Sequence, residues 1–144
     1  MPAWLRYSVA LVAGAVIAVA VVSAVQALGH WVHPLPAGLD TSDPEQLRAY
    51  ALEAPVAALL FVLASWVAGS FVGALVAAVL ARTRPVLFAV IIGLLMLAAT
   101  LATLTAIPHP LWFAVTSLVA VPLAALAAGW AASAWRARTT NAGD

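Results

Sequence analysis

Four long apolar runs constrain the fold of this chain more than any other feature of its sequence. They cover residues 7–28, 55–80, 86–107 and 111–135, and none contains Asp, Glu, Lys, Arg or His. A helix needs about 20 residues to cross the roughly 30 Å hydrocarbon layer of a bilayer. Each run is long enough, so the sequence predicts four transmembrane helices, termed spans 1 to 4 in chain order.

The composition and the connections between the runs predict how these spans are arranged. Hydrophobic residues make up 66% of the chain and charged residues 8%, against about 45–50% and about 25% in soluble proteins. Spans 2 and 3 are joined by the tight sequence ARTRP, and spans 3 and 4 by IPHP. Short connections make antiparallel neighbours. The prediction is an all-α, integral membrane four-helix bundle that forms a single domain over residues 1–144, with a connector at 30–53 and a tail at 136–144.

The first run also has features of a signal peptide. Arg6 precedes an apolar stretch, and VQA at residues 25–27 resembles a small-residue cleavage site. The apolar part of a signal peptide covers about 7 to 15 residues, which is shorter than this run. We therefore expect span 1 to be retained as a membrane helix.

The arginines predict the orientation. Cytoplasmic loops of membrane proteins carry an excess of Lys and Arg. Five of the six basic residues lie before span 1, between spans 2 and 3, or after span 4: Arg6, Arg82, Arg84, Arg136 and Arg138. We expect both termini to be cytoplasmic in the inner (plasma) membrane, with the 30–53 connector outside.

The charge and the positions of ionisable residues exclude several classes of protein. A net charge of +1 leaves no basic face for a nucleic acid partner. Cysteine is absent, so disulfide and thiolate chemistry is excluded. Proton-driven exporters and intramembrane aspartyl proteases need titratable groups inside the bilayer, and no span contains an acidic residue or histidine. Any chemistry must lie at the outer end.

The connector contains a predicted amphipathic helix. In TSDPEQLRAYALEAP, Ser42 and Glu45 have the spacing of a capping box, and Pro44 suits a first helical turn. We expect the helix to begin at Ser42, with Glu45 and Arg48 able to pair at i, i+3. Its apolar residues recur on one face: Leu47, Tyr50 and Ala51. The helix is either a connector that covers the bundle or a lid over a ligand.

Three histidines fall on the predicted outer side. His30 and His33 stand in GHWVHPLP, and His109 stands between two prolines in IPHP. Pro34 disfavours a helical conformation at His33, which weakens i, i+3 metal ligation by the pair. The favoured interpretation is that these are polar interface residues, with no metal and no cofactor. The alternatives are a metal centre completed by Glu53 or Asp40, and a pH-responsive cluster.

Small residues in span 2 predict close helix packing. Ser65, Gly69, Gly73 and Ala77 recur every four residues, a pattern that allows two helix backbones to approach closely. The partner is either another helix of the same chain or span 2 of a second copy.

Polar side chains within the spans are expected to find partners inside the protein. Trp66 lies near the middle of span 2, so its indole N–H needs an acceptor on a neighbouring helix. The hydroxyls of spans 3 and 4 are expected to bond back to their own helices; they belong to Thr100, Thr103, Thr105, Thr116 and Ser117.

Two segments together resemble small, uncharacterised four-span inner-membrane proteins of bacteria. They are WVAGSFVGALVA at residues 66–77 and IPHPLWF at residues 107–113. The resemblance covers span 2 to the start of span 4. It implies the four-span architecture and carries no activity or site residues.

Three functions remain as hypotheses. The first is a non-enzymatic structural or accessory protein that packs through span 2 on itself or on a larger membrane protein. The second is a transporter or channel for a small or lipophilic solute, with the outer His and acidic residues at its mouth. The third is a metal-dependent membrane enzyme that works at the outer interface. In each case the lipid bilayer is a partner.

Overall fold

A computed structural model describes residues 2–40 and 42–141. Met1, Thr41 and residues 142–144, which include Asp144 and the end of the predicted tail, lie outside the described residues. The described chain is all-helical, as predicted. Its helices are α1 (Ala3–Val32), α2 (Pro44–Glu53), α3 (Val56–Ala81), α4 (Pro85–Ala106) and α5 (Leu111–Asn141).

Four of these helices are long and apolar enough to cross a membrane: α1, α3, α4 and α5. The chain is therefore a multi-pass helical membrane protein. Helices α1 and α5 extend beyond the apolar runs at residues 7–28 and 111–135, because hydropathy marks the hydrocarbon-facing part of a helix and not its ends. Helix α1 stops before His33, which has φ −128° and ψ 80°, as expected for a residue that precedes proline.

The four long helices form a bundle with α3 at its centre. Helix α3 packs against α1, α4 and α5, while α4 packs against α5 and also contacts α1. Because neighbouring helices run in opposite directions, the bundle has two distinct ends. We call the end with residues 3–10, 78–88 and 129–141 the arginine end, and the end that carries α2 the α2 end.

The small-residue column of α3 lies against α1. Ser65, Gly69, Gly73 and Ala77 are all buried. A Cβ atom at Gly73 would stand 2.6 Å from the carbonyl oxygen of Gly14, and one at Gly69 would stand 2.8 Å from the carbonyl oxygen of Ala18. In this structure the column thus packs within one chain, and glycine is required because the facing atoms belong to a backbone.

The core changes in character along the bundle. At the arginine end it consists largely of alanines, grouped around Phe88 and Ile92, so the helices lie close together. Towards the α2 end the buried side chains are larger: Leu59, Trp66, Phe113 and Val121. Larger side chains hold helices further apart, which leaves room for a cavity at this end.

Helix α2 begins two residues later than expected, at Pro44. Its N-cap is Asp43, whose side chain accepts a 2.9 Å hydrogen bond from the Glu45 N–H. The predicted capping box at Ser42 is wrong because the Ser42 N–H and hydroxyl both donate to Asp40 instead. The hydrogen bond from Glu45, supported by the Gln46 amide, lowers the pKa of the Asp43 carboxyl.

The predicted ion pair between Glu45 and Arg48 does not form. Arg48 Nε instead donates a 3.3 Å hydrogen bond to the carbonyl oxygen of Ala106, the last residue of α4. Carbonyl groups in the last turn of a helix lack partners within that helix. Arg48 therefore fastens α2 to the end of α4.

Candidate ligand-binding cavity

A cavity of about 600 Å³ lies towards the α2 end of the bundle, between α1, α3 and α4. Its walls are mostly apolar, with contributions from Val22 of α1, Leu59 and Phe61 of α3, and Met96 of α4. Leu47, Tyr50 and Ala51, the predicted apolar face of α2, also line it. Helix α2 therefore covers the cavity with the face that the sequence marks as apolar.

The cavity arises because α1 and α4 separate towards the α2 end. At the arginine end the two helices meet: the Tyr7 and Phe88 ring centroids are 5.2 Å apart, and a Cβ on Gly14 would stand 3.2 Å from Ile92 Cδ1. From Val19 onward in α1 the facing residues border the cavity instead. The interface between α1 and α4 is thus closed at the arginine end and open towards the α2 end.

One side of the cavity is open between α1 and α4. Val19 of α1 and Ala99 of α4 both line the cavity, and both are exposed at the surface of the bundle. Val19 is 63% exposed. Since both residues lie well inside membrane-spanning helices, this opening faces the region where lipid chains surround the bundle.

Gln26 is a polar residue in the cavity wall that was not among the predicted site residues. Gln26 Nε2 donates a 3.3 Å hydrogen bond to Ser65 Oγ, which donates in turn to the Val62 carbonyl oxygen at 2.6 Å. The side-chain carbonyl of Gln26 takes no hydrogen bond from any described residue. The sequence could have indicated this residue, because Gln26 is the one amide side chain of span 1.

Trp66 faces protein, as expected, and is 7% exposed. Its ring packs edge-on against Phe113, with centroids 5.4 Å apart. The predicted acceptor on a neighbouring helix is absent among the described residues, so the indole N–H has no protein partner there. Trp66 is part of the cavity wall.

Thr100 is the exception among the five hydroxyls of α4 and α5 that were expected to bond back to their own helices. Thr103, Thr105, Thr116 and Ser117 donate to carbonyl oxygens three or four residues earlier in their own helices. Thr100 is 3% exposed and also lines the cavity, yet its hydroxyl has no hydrogen-bond partner among the described residues. Trp66 and Thr100 thus bring two hydrogen-bond donors to the cavity wall, and neither has an acceptor among the described residues.

The three histidines all line the cavity, but each has different surroundings. The His109 ring stacks on Phe113 with centroids 4.8 Å apart, and its Nδ1 lies 2.7 Å from the Ile107 carbonyl oxygen, so Nδ1 carries the proton there. The His33 ring lies edge-on to Phe61 at 5.8 Å. His30 is exposed.

The acidic residues that the metal hypothesis required are not part of this wall. Neither Glu53 nor Asp40 lines the cavity, and Asp40 instead accepts two hydrogen bonds from Ser42. Within residues 2–40 and 42–141, no group of three or more His, Asp or Glu side chains is arranged to hold a metal ion. The wall is therefore apolar, with hydrogen-bonding groups but no carboxylate among the described residues.

The chain has no detectable similarity to a known protein family, to a curated protein or to a solved structure. The geometry of the cavity is thus the basis for any functional argument.

Proposed function

We propose that this protein binds a lipophilic molecule in the cavity between α1, α3 and α4. The observation that carries the proposal is the cavity of about 600 Å³ with mostly apolar walls. Binding sites for small molecules typically measure about 300–1,000 Å³ and combine apolar walls with a few polar groups. Binding of such a molecule is the first step of the hypothesis that the protein transports a lipophilic solute. Transport itself would be a further step.

The opening between α1 and α4 supports entry of the ligand from the bilayer. A molecule dissolved among lipid chains can reach Val19 and Ala99 without crossing water, because both residues are exposed on the membrane-spanning part of the bundle. The apolar part of the ligand then exchanges lipid contacts for contacts with the cavity wall, and the empty volume is filled.

The polar groups of the wall indicate the chemistry of the ligand. The Trp66 indole N–H and the Thr100 hydroxyl line the cavity without a described protein acceptor, so both can donate to a ligand with hydrogen-bond-accepting oxygens. His30, His33 and Tyr50 add further hydrogen-bonding groups. With no Asp or Glu in the described wall, a carboxylate or carbonyl group meets no repulsion there. The ligand class is an amphiphile with an apolar body and an oxygen-bearing head.

The accessory role through span 2 has less support, because α1 of the same chain covers the small-residue column. The arginine distribution supports cytoplasmic termini, and with that orientation α2 and the cavity lie on the outer side. The plasma (inner) membrane is the location that the resemblance to small bacterial inner-membrane proteins implies.

The fluorescence of Trp66 can report occupancy of the cavity. The other five tryptophans are all at least 40% exposed and can be replaced by phenylalanine, so that only Trp66 emits. Dibromostearate, a fatty acid with a heavy-atom quencher on its chain, is then titrated into the protein in detergent. We expect saturable quenching, because a bound chain lies against Trp66.

The matched variants are Ala58→Phe and Ala57→Phe. Ala58 lines the cavity, whereas its neighbour Ala57 is exposed and does not. Ala58→Phe should weaken the quenching at least tenfold in apparent affinity, and Ala57→Phe should leave it unchanged. Quenching that does not saturate, or that is equal in the two variants, would refute binding in the cavity.

A further inference from the structure

The arginines and the described acidic residues lie mostly at opposite ends of the bundle. Five arginines lie at the arginine end, whereas the four acidic residues among residues 2–40 and 42–141 all fall within residues 40–53, at the α2 end. The fifth acidic residue, Asp144, lies outside the described residues. The described acidic residues thus lie at the opposite end of the bundle from Arg6 and Arg82.

Arg136 differs from the other arginines because it has a structural task. Its Nη2 donates to the carbonyl oxygens of Ala78 and Val79, at 3.1 and 3.3 Å. Both carbonyls belong to the last turn of α3, where intrahelical partners are missing. This guanidinium thus caps α3 from α5.

Arg6 and Arg82 instead line a second cavity of about 430 Å³, together with Val9 and Leu80. The Nε atom of Arg6 is buried and has no hydrogen-bond partner among the described residues. The guanidinium carbon of Arg6 lies 5.4 Å from the centre of the Tyr7 ring. The cavity thus has two arginines and two apolar residues in its lining.

The connector between α3 and α4 contains two residues with a left-handed backbone conformation. Arg82 has φ +58° and Arg84 has φ +45°, a left-handed conformation that glycine adopts with little strain and other residues adopt at a cost. The connector is also joined to α1, because Thr83 Oγ1 donates a 3.1 Å hydrogen bond to the Tyr7 hydroxyl. Of these two arginines, Arg82 lines the cavity.

We infer that Arg6 and Arg82 bind the phosphate group of an anionic phospholipid at this end of the bundle. A guanidinium group pairs with phosphate oxygens through two parallel hydrogen bonds, and two arginines line this cavity. Val9 and Leu80 are apolar, exposed neighbours along which acyl chains can lie. The site is at the opposite end of the bundle from the ligand cavity, so the two proposals stand or fall separately.

The test compares melting temperatures in a neutral detergent with added phosphatidylglycerol, phosphatidylcholine or inorganic phosphate. The variants are Arg6→Gln and Arg82→Gly, and the control is Arg138→Gln, which removes an exposed arginine of the same end. We expect phosphatidylglycerol to raise the melting temperature of the parent by several degrees and phosphatidylcholine to raise it much less. Both variants should lose most of that rise, and the control should keep it.

Arg82→Gly separates loss of binding from loss of fold. Because glycine relieves the left-handed strain, this variant should melt at or above the parent temperature when no anionic lipid is present. An equal response to phosphatidylglycerol in all four proteins would overturn the site, as would an equal loss in Arg138→Gln, which would show a general effect of charge. If millimolar inorganic phosphate raised the melting temperature equally, the site would bind free anions, and the assignment to a phospholipid headgroup would be wrong.

Discussion

The contact between α1 and α3 makes a quantitative prediction for Gly73→Ala. The added Cβ would lie 2.6 Å from Ala18 Cβ and 2.6 Å from the Gly14 carbonyl oxygen, where ordinary contact begins at 3.4 Å. One of these atoms is backbone, so the two helices must move apart by about 1 Å, since packed interiors have little free space.

The expected net effect on stability combines two terms. Overpacking of a core costs about 1–3 kcal/mol, and replacement of glycine by alanine within a helix returns about 0.5–1 kcal/mol. Because the clash involves backbone, we expect Gly73→Ala to lower the free energy of unfolding by about 1–2 kcal/mol. Gly73→Leu should be worse, whereas Leu75→Ala, at a half-buried position, should have a smaller effect.

Gly29→Ala is the matched control. Its Cβ would meet the Phe61 side chain, with the nearest atom at 3.0 Å, and it gains the same helix propensity. Unfolding followed by circular dichroism in mixed micelles, together with the oligomeric state, measures the difference. If Gly73→Ala is as stable as Gly29→Ala, the close α1–α3 contact is not present. A stable monomer that has lost a dimer would instead indicate self-association through α3.

Three further predictions concern orientation and α2. Reporter fusions after Arg138 and within residues 42–46 should report opposite sides of the membrane, with the C-terminus inside. The reason is that five of the six arginines flank the predicted cytoplasmic ends. A reversed result would refute the orientation. Since the pKa of Asp43 is lowered, its cap stabilises α2 above the ordinary carboxyl pKa of 3.8 and loses this effect as the pH falls below that value. The protection of α2 amides from exchange, taken relative to the intrinsic rate at each pH, should therefore fall severalfold at low pH and in Asp43→Ala at neutral pH; unchanged protection would show that the cap is unimportant. Arg48→Gln removes the hydrogen bond to Ala106, so exchange in α2 should rise while that of α3 stays constant; equal rates in variant and parent would mean that Arg48 does not hold α2.

Local features of α2 show where sequence reasoning succeeds and where it fails. The helix, its proline in the first turn and its apolar face were all predicted, because they depend on neighbours within one or two turns. The cap residue was wrong because Ser42 and Asp43 compete for the same backbone N–H groups, and the choice depends on where Asp40 lies. A pattern of residue types does not decide such a competition.

The number and type of the long helices follow from the sequence alone. A bilayer offers no hydrogen-bond partners to the backbone, so apolar runs at residues 7–28, 55–80, 86–107 and 111–135 have essentially one outcome. The spacing of Gly69 and Gly73 likewise predicts a close approach by some helix. Each of these results depends on residues close together in the chain.

The cavity was decided only by the tertiary structure. Its polar lining comes from separate parts of the chain that line one cavity: Gln26, Trp66, Thr100 and His109. They do so because alanines and glycines bring α1 close to its neighbours at the arginine end, while larger side chains and the separation of α1 from α4 keep the α2 end open. The volume between helices depends on how all their side chains pack together, and periodicity along a single helix carries no information about it.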